Sequence, residues 1–548
     1  MRVAVIEAAA LGAAVCLLAT PPPGAPVPLA PATAAAAATA ATAATVAAGP
    51  GSAVPGEDAP APIRNWPGER LAEGLTLYRG TLGDPSGPGR WTVTVTGGGK
   101  PDRLLDAAAA AALARRLAAA GFEPEVETIT APGYAGVPGG PLGRRIRVGG
   151  YGTRAAAAAL AERIEKAGFT AAAEPAGQDP VELEPDGGLR AVVRVAVLDP
   201  RRYRGEITAT YGRALARRET TTSMAREHGA ILAVNGGYFV MHRKDGLPGV
   251  PAGIGVYDGR LESLATNGRA ALLLGDRPRV ARLTTEMTVA AGGRRREIDG
   301  VNREPGKIRN CGGVGGDLPT EAPRHDVTCT DPSEVVLFTP ALGGATPGGD
   351  GVEVVLDRDG RVVRQRGRGG PIPAGGRVLA GIGEGATWLA AHARPGTRLA
   401  VHQRVLDETG RTVDLGDDDV VNGGPELIRD GRIHIDVAAD GVYRPEDPGF
   451  LYRWAIRRGP RVMLGIDGHG RLLLLVADGR QPGYSDGLSL LEGARFLLRL
   501  GARDAINLDG GGSVTLAVRG RLGNRPSDGT ERTVGDAILF LPPAREDG

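Results

Sequence analysis

From Trp91 to Thr96 the chain reads Trp-Thr-Val-Thr-Val-Thr, an apolar/polar alternation with the two-residue period of a strand. From Asp102 to Ala120 the Ala and Leu positions instead follow the three-to-four-residue period of a helix, which stops at Gly121-Phe122. Glu125 to Ile129 returns to the strand pattern. The order then recurs, with a strand from Arg145 to Tyr151, a helix from Thr153 to Ala167 closed by Gly168-Phe169, and a further short strand. This predicts an internal repeat of two β-α-β units. Farther along, Val192 to Leu198 reads as a strand, Thr221 to His228 as a helix and Ala230 to Val234 as a strand. Residues 253–261 and 352–363 read as hairpins, and Leu488 to Leu500 as an amphipathic helix ended by Gly501. Many short strands and few helices predict an α+β fold, a small β-α-β repeat module followed by a larger mixed α/β domain.

Three of the apolar runs end in the same way. Ile231 to Val234 enters Asn235-Gly236-Gly237-Tyr238, Val420-Val421 enters Asn422-Gly423-Gly424-Pro425-Glu426, and Ala505-Ile506 enters Asn507-Leu508-Asp509-Gly510-Gly511-Gly512. Glycine permits a positive φ and a close backbone approach at little cost. Three strand ends led by Asn or Asp therefore predict convergence on one pocket, with ordinary hairpin turns as the alternative.

Composition narrows the classes. Lys and Arg number 65 against 63 Asp and Glu, a net charge of +2, which gives no field to draw the 548-residue chain to nucleic acid or anionic lipid. The length allows two or three domains. Arg2 followed by an apolar stretch to Ala19 predicts a leader or N-terminal anchor over 1–20, and hence a secreted or wall-associated protein, anchored if the leader is uncleaved. Residues 21–62, almost all Ala, Pro, Thr and Gly, predict a disordered tether. Beyond the leader the cysteines are Cys311 and Cys329. In an exported chain they predict one disulfide, and a metal site shared with His325 lacks the close Cys spacing that would support it. The histidines show no zinc spacing, so no metal and no cofactor is expected.

The two β-α-β units, spanning 90–174, resemble a SPOR domain, which would bind peptidoglycan glycan strands; a generic ferredoxin-like module is the alternative. Over 189–541 the three glycine turns, with Ile428-Arg429-Asp430-Gly431, Pro460-Arg461, Val476-Ala477-Asp478-Gly479-Arg480-Gln481 and Asn524-Arg525-Pro526-Ser527-Asp528-Gly529, resemble the phosphodiester glycosidase family. Two departures are Val462-Met463, where the family commonly has Thr-Ala, and a missing third glycine before Pro425.

The resemblance implies hydrolysis of a sugar C1–O bond that releases a phosphate monoester, with a glycan or sugar phosphodiester as the only partner that can be foreseen. A noncatalytic glycan-binding protein is the alternative. The phosphate needs planar, charged donors, which fits Arg461, Arg480 and Arg525. Positive charge at C1 needs a carboxylate, for which Asp509, Asp478, Asp528 and Glu426 are candidates. Asn235, Gly236, Asn422, Gly423, Asn507, Gly510 and Gly511 are candidates for contacts to sugar hydroxyls. Each has a plainer use as a turn or ion-pair residue.

Overall fold

The computed structural model describes residues 59–83, 91–98, 103–178, 190–266, 268–311 and 323–543. The expected leader and nearly all of the expected tether lie outside them. Among the described residues no helix is long and apolar enough to cross a membrane.

The strand Leu472–Ala477 is apolar at every position, and so is much of Arg190–Leu198, which pairs with it. Side chains on a strand alternate between faces, so an unbroken apolar run needs cover on both. The structure supplies it. These strands lie in the middle of an eight-stranded antiparallel sheet ordered 68–72, 75–83, 190–198, 472–477, 461–467, 502–507, 426–429, 432–433. On one face Val193, Val195, Leu473 and Leu475 pack with helix Leu490–Arg499. On the other, Leu198, Leu472, Leu474 and Val476 pack with Leu232, Val234, Leu516 and Ile538 of a five-stranded sheet. The helix begins where Ser489 and Glu492 cap each other reciprocally, two residues after the predicted start. Two further sheets, of seven and five strands, are built around 255–291 and 335–381 and enclose a third apolar core.

The small module contains strands Trp91–Thr96, Pro124–Ala131, Gly140–Tyr151 and Thr170–Pro175 in one sheet whose neighbouring pairs are all antiparallel, with helices Ala107–Ala119 and Arg154–Lys166 packed on it. The first helix starts at Ala107 rather than near Asp102 because the Asp106 carboxylate caps the Ala109 amide at 2.7 Å. This module is an insertion. Strand Leu75–Gly83, which precedes it, pairs along its whole length with Arg190–Leu198, which follows it. The large domain therefore begins before the module, where the expected boundary at 189 had placed it wholly after. No local pattern could show a strand pairing across so long an intervening segment.

Candidate functional site

The three glycine turns meet. Asn235 Nδ2 donates to the Asp509 carbonyl at 2.8 Å, and the Asp509 amide donates to the Gly236 carbonyl at 3.1 Å. Gly424 N donates to the Asn507 carbonyl at 2.8 Å, and Asn422 holds both backbone groups of Tyr238, at 3.0 and 3.2 Å. Asn507 Nδ2 donates to the Tyr238 hydroxyl at 3.0 Å. The three asparagines are buried and spend these groups on one another's turns, tying the strand ends together. Gly236 and Gly423 are likewise held by backbone bonds, to Asp536 and Ala270.

Beside this knot lies a cavity of about 380 Å³ lined by Tyr238, Met241, residues 453–454, residues 457–461, Arg480, residues 509–512 and Arg532. Its floor is the turn Asp509-Gly510-Gly511-Gly512. The Gly510 amide donates to Asp509 Oδ1 at 2.9 Å and the Gly511 amide to the Pro460 carbonyl at 3.0 Å, so these two amides hold the turn. Gly511 has φ +61°, and its bare α-carbon face lies against the Arg480 guanidinium. At Gly512 a methyl group would fall 2.0 Å from Arg532 Nη2 and 2.2 Å from Asp528 Oδ2, so only glycine lets that ion pair close over the turn.

Asp509 is the only carboxylate lining the cavity among the described residues. It keeps partial solvent access. Desolvation raises its pKa to about 6, against the pull of the nearby Ser513 side chain, Arg532 and the Gly510 amide. Asp536, buried next to it, is also raised to about 6 by desolvation although it accepts from the Tyr257 hydroxyl at 2.8 Å and the Gly237 amide at 2.9 Å.

The cations around Asp509 are held differently. Arg480 lies at the cavity surface, with no carboxylate partner among the described residues. Desolvation, then Arg457, lowers its pKa. Arg461 is buried and donates Nε to the Leu488 carbonyl at 3.0 Å and Nη2 to the Trp454 and Arg457 carbonyls at 3.0 and 3.1 Å. Burial pulls its pKa down to about 10. Arg461 thus fixes the shape of the cavity wall as well as lending it charge. Arg532 pairs with Asp528 at 2.5 Å on the rim, and Arg458 with Glu492 at 2.6 Å.

The other expected site residues lie elsewhere. Asp478 is fully enclosed, bonded to Arg194, to the Tyr484 hydroxyl at 2.8 Å, to Asn524 at 3.0 Å and to the Arg525 amide. Arg525 sits over the Tyr484 ring, 4.8 Å from its centroid. Glu426 is buried in a fork with Arg429, at 2.6 and 2.8 Å, and with Arg282 at 3.4 Å. None of the three lines the cavity. Sequence reasoning missed Tyr238's position, Trp454, Arg453, Arg457 and Arg532. Arg532 ends the stretch from Asn524 that resembles the family, which did not by itself single it out as a site residue. No signal existed for residues 452–458, an irregular π-helical turn and its exit.

The expected disulfide joins Cys311 and Cys329, with Cα atoms 5.9 Å apart. It sits on a two-stranded ribbon, Ile308–Arg309 with Thr328–Cys329, which leads from His325. The His325 ring packs edge-on against Tyr238 and Trp454, with centroids 4.5 and 4.2 Å away.

The family model for phosphodiester glycosidase matches residues 350–541, and that for the SPOR domain matches residues 87–173. A solved structure from Burkholderia pseudomallei, of a protein named only provisionally as exported, is 32% identical and superposes with a TM-score of 0.75 over 87% of this chain and 96% of that one. The N-acetylglucosamine-1-phosphodiester alpha-N-acetylglucosaminidase of Bos taurus is 33% identical over 163 residues, 29% of this chain and 30% of that protein. The Homo sapiens protein of the same name is 35% identical over 127 residues, 23% of each. The chain thus spans less than a third of the curated relatives it matches.

Proposed function

From the match of residues 350–541 to the phosphodiester glycosidase model, we propose that the chain hydrolyses a glycosyl phosphodiester, of the N-acetylglucosamine 1-phosphate type, in the cavity that holds Asp509. The observation that carries this is that, among the described residues, one carboxylate lines the cavity and faces several guanidinium groups. An ordinary glycoside has a poor leaving group and calls for a second carboxylic acid to protonate it. A phosphate monoester leaves as a stable anion, so a site for it can dispense with that acid and invest in cations.

In this mechanism Arg480 grips the phosphate, with Arg457 and Arg532 flanking it, while Gly511 allows the close approach of Arg480. Asp509, ionised above about pH 6, opposes the positive charge that grows at C1 and accepts the proton of the attacking water. The water oxygen bonds to C1, the bond between C1 and the bridging oxygen breaks, and the phosphate monoester departs with that oxygen and the electron pair. The SPOR module supports a glycan or peptidoglycan partner, and the apolar N-terminal pattern supports export to the wall or medium.

The full chain, incubated with the methyl phosphodiester of N-acetylglucosamine 1-phosphate, should release free sugar and methyl phosphate. Asp509→Asn, which keeps shape and deletes charge, should lose ~10²–10⁴-fold in kcat. Binding of the diester by the wild type without any release of sugar would replace the enzyme with a glycan-binding protein.

A further inference from the structure

The inserted module touches the cavity wall directly. The wall segment runs from Tyr452 through Arg461, and two module residues, Arg145 and Glu174, hold it. Arg145, almost wholly buried, donates to the Tyr452 hydroxyl and lies over its ring. Glu174, on the module's last strand, pairs with Arg457 at 3.1 Å and with Arg145 at 3.6 Å, and accepts from the Thr94 hydroxyl at 2.9 Å. Tyr134, in the loop between two module strands, is buried in the same core as Tyr452 and Ala455 and feels the charge of Arg461.

Glu174 is thus the one carboxylate paired with Arg457 among the described residues, and Arg457 lines the cavity. Its pKa is held below the ordinary value: burial alone would raise it, and Arg457, Arg145 and the Thr94 hydroxyl overcome that. Without the carboxylate, Arg457 would lose the ion pair that ties it to the module. Arg457 would then leave its place at the cavity.

We propose that Glu174 of the SPOR module is a positioning residue for the hydrolytic site: it holds Arg457 toward the substrate phosphate, so the module sets affinity for small soluble diesters as well as for polymers. This deepens the phosphodiester function proposed above and rests on it. It also reverses what a tethered module predicts, since binding energy in a separate domain would leave a small substrate's kinetics untouched.

The test uses the full chain and the methyl phosphodiester of N-acetylglucosamine 1-phosphate. Glu174→Gln should raise KM about 10-fold or more while kcat stays within about 3-fold, as loss of a charge-assisted bond to a binding group implies. Arg457→Gln should do the same, and the double variant should be no worse than Arg457→Gln alone, because the two act as one unit. Glu174→Asp should recover part of the loss. If Glu174→Gln does not fold, Thr94→Val, which only loosens Glu174, should raise KM in the same direction by a smaller factor. Unchanged KM in the folded variants, or additive losses in the double variant, overturns the proposal while leaving the functional assignment intact. A wild type that neither hydrolyses the diester nor binds inorganic phosphate by calorimetry would remove the assignment, and the proposal with it.

Discussion

At the scale of single residues the site trades stability for reactivity. Asp509 and Asp536 have pKa values raised to about 6, so the folded chain holds protons that the unfolded chain has already released above roughly pH 4. The sign follows: stability falls as pH rises from about 4 to about 6, and the full cost persists above. Asp509→Asn removes that charge. It should therefore raise Tm at pH 7.5 and lose most of the gain at pH 4, as differential scanning calorimetry at the two pH values will show. The same ionisation should set activity, with kcat/KM declining as pH falls through about 6. A flat profile from pH 5 to 8 would remove Asp509 as the base. Asp509 was legible because it ends an apolar run and opens a glycine turn. Asp478 carries the same Asp-Gly signature, yet it is a buried node for Arg194, Tyr484 and Asn524. Local sequence does not distinguish a carboxylate that faces a cavity from one enclosed by partners, because the difference lies in distant strands.

Among elements, the strands and helices with strong periodicity stand where the pattern places them, displaced by a few residues at caps such as Asp106 and Ser489. What the pattern misses is the irregular wall, 452–461, whose shape depends on Arg461 bonding three carbonyls rather than on any repeat. The triple-glycine turn is the complementary case, since its need for glycine is local. Gly512→Ala would push against the tips of Arg532 and Asp528, which can swing into solvent. The expected result is little change in Tm, within about 0.5 kcal/mol of stability, and a several-fold rise in KM as Arg532 leaves the rim. A large fall in Tm with unchanged KM would show the contact to be structural.

At the scale of the whole molecule, the Cys311–Cys329 bond clamps the ribbon that leads from His325, the ring packed against Tyr238 and Trp454 at the cavity. Reduction should cost about 3 kcal/mol by loop-closure entropy. Because the same ribbon positions His325, the reduced chain should also bind substrate more weakly while still folded at 25 °C. Parallel thermal melts and KM measurements with and without dithiothreitol check both effects. The change of periodicity marks the module that the SPOR model matches, but not its place between two paired strands. Strand Leu75–Gly83 finds its partner only after the module has been passed.

That nesting also orders events in time. The central sheet cannot close until two strands separated by about a hundred residues meet, and a slack chain of that length makes the meeting entropically costly. A module that has already condensed brings its own ends near each other and shortens the search. Loosening it from within, as Ile146→Ala would in its core, should then slow appearance of the large domain's native signal in stopped-flow refolding, although Ile146 belongs to the module's own apolar cluster. The inserted module would act, in effect, as a folding template for the chain that encloses it.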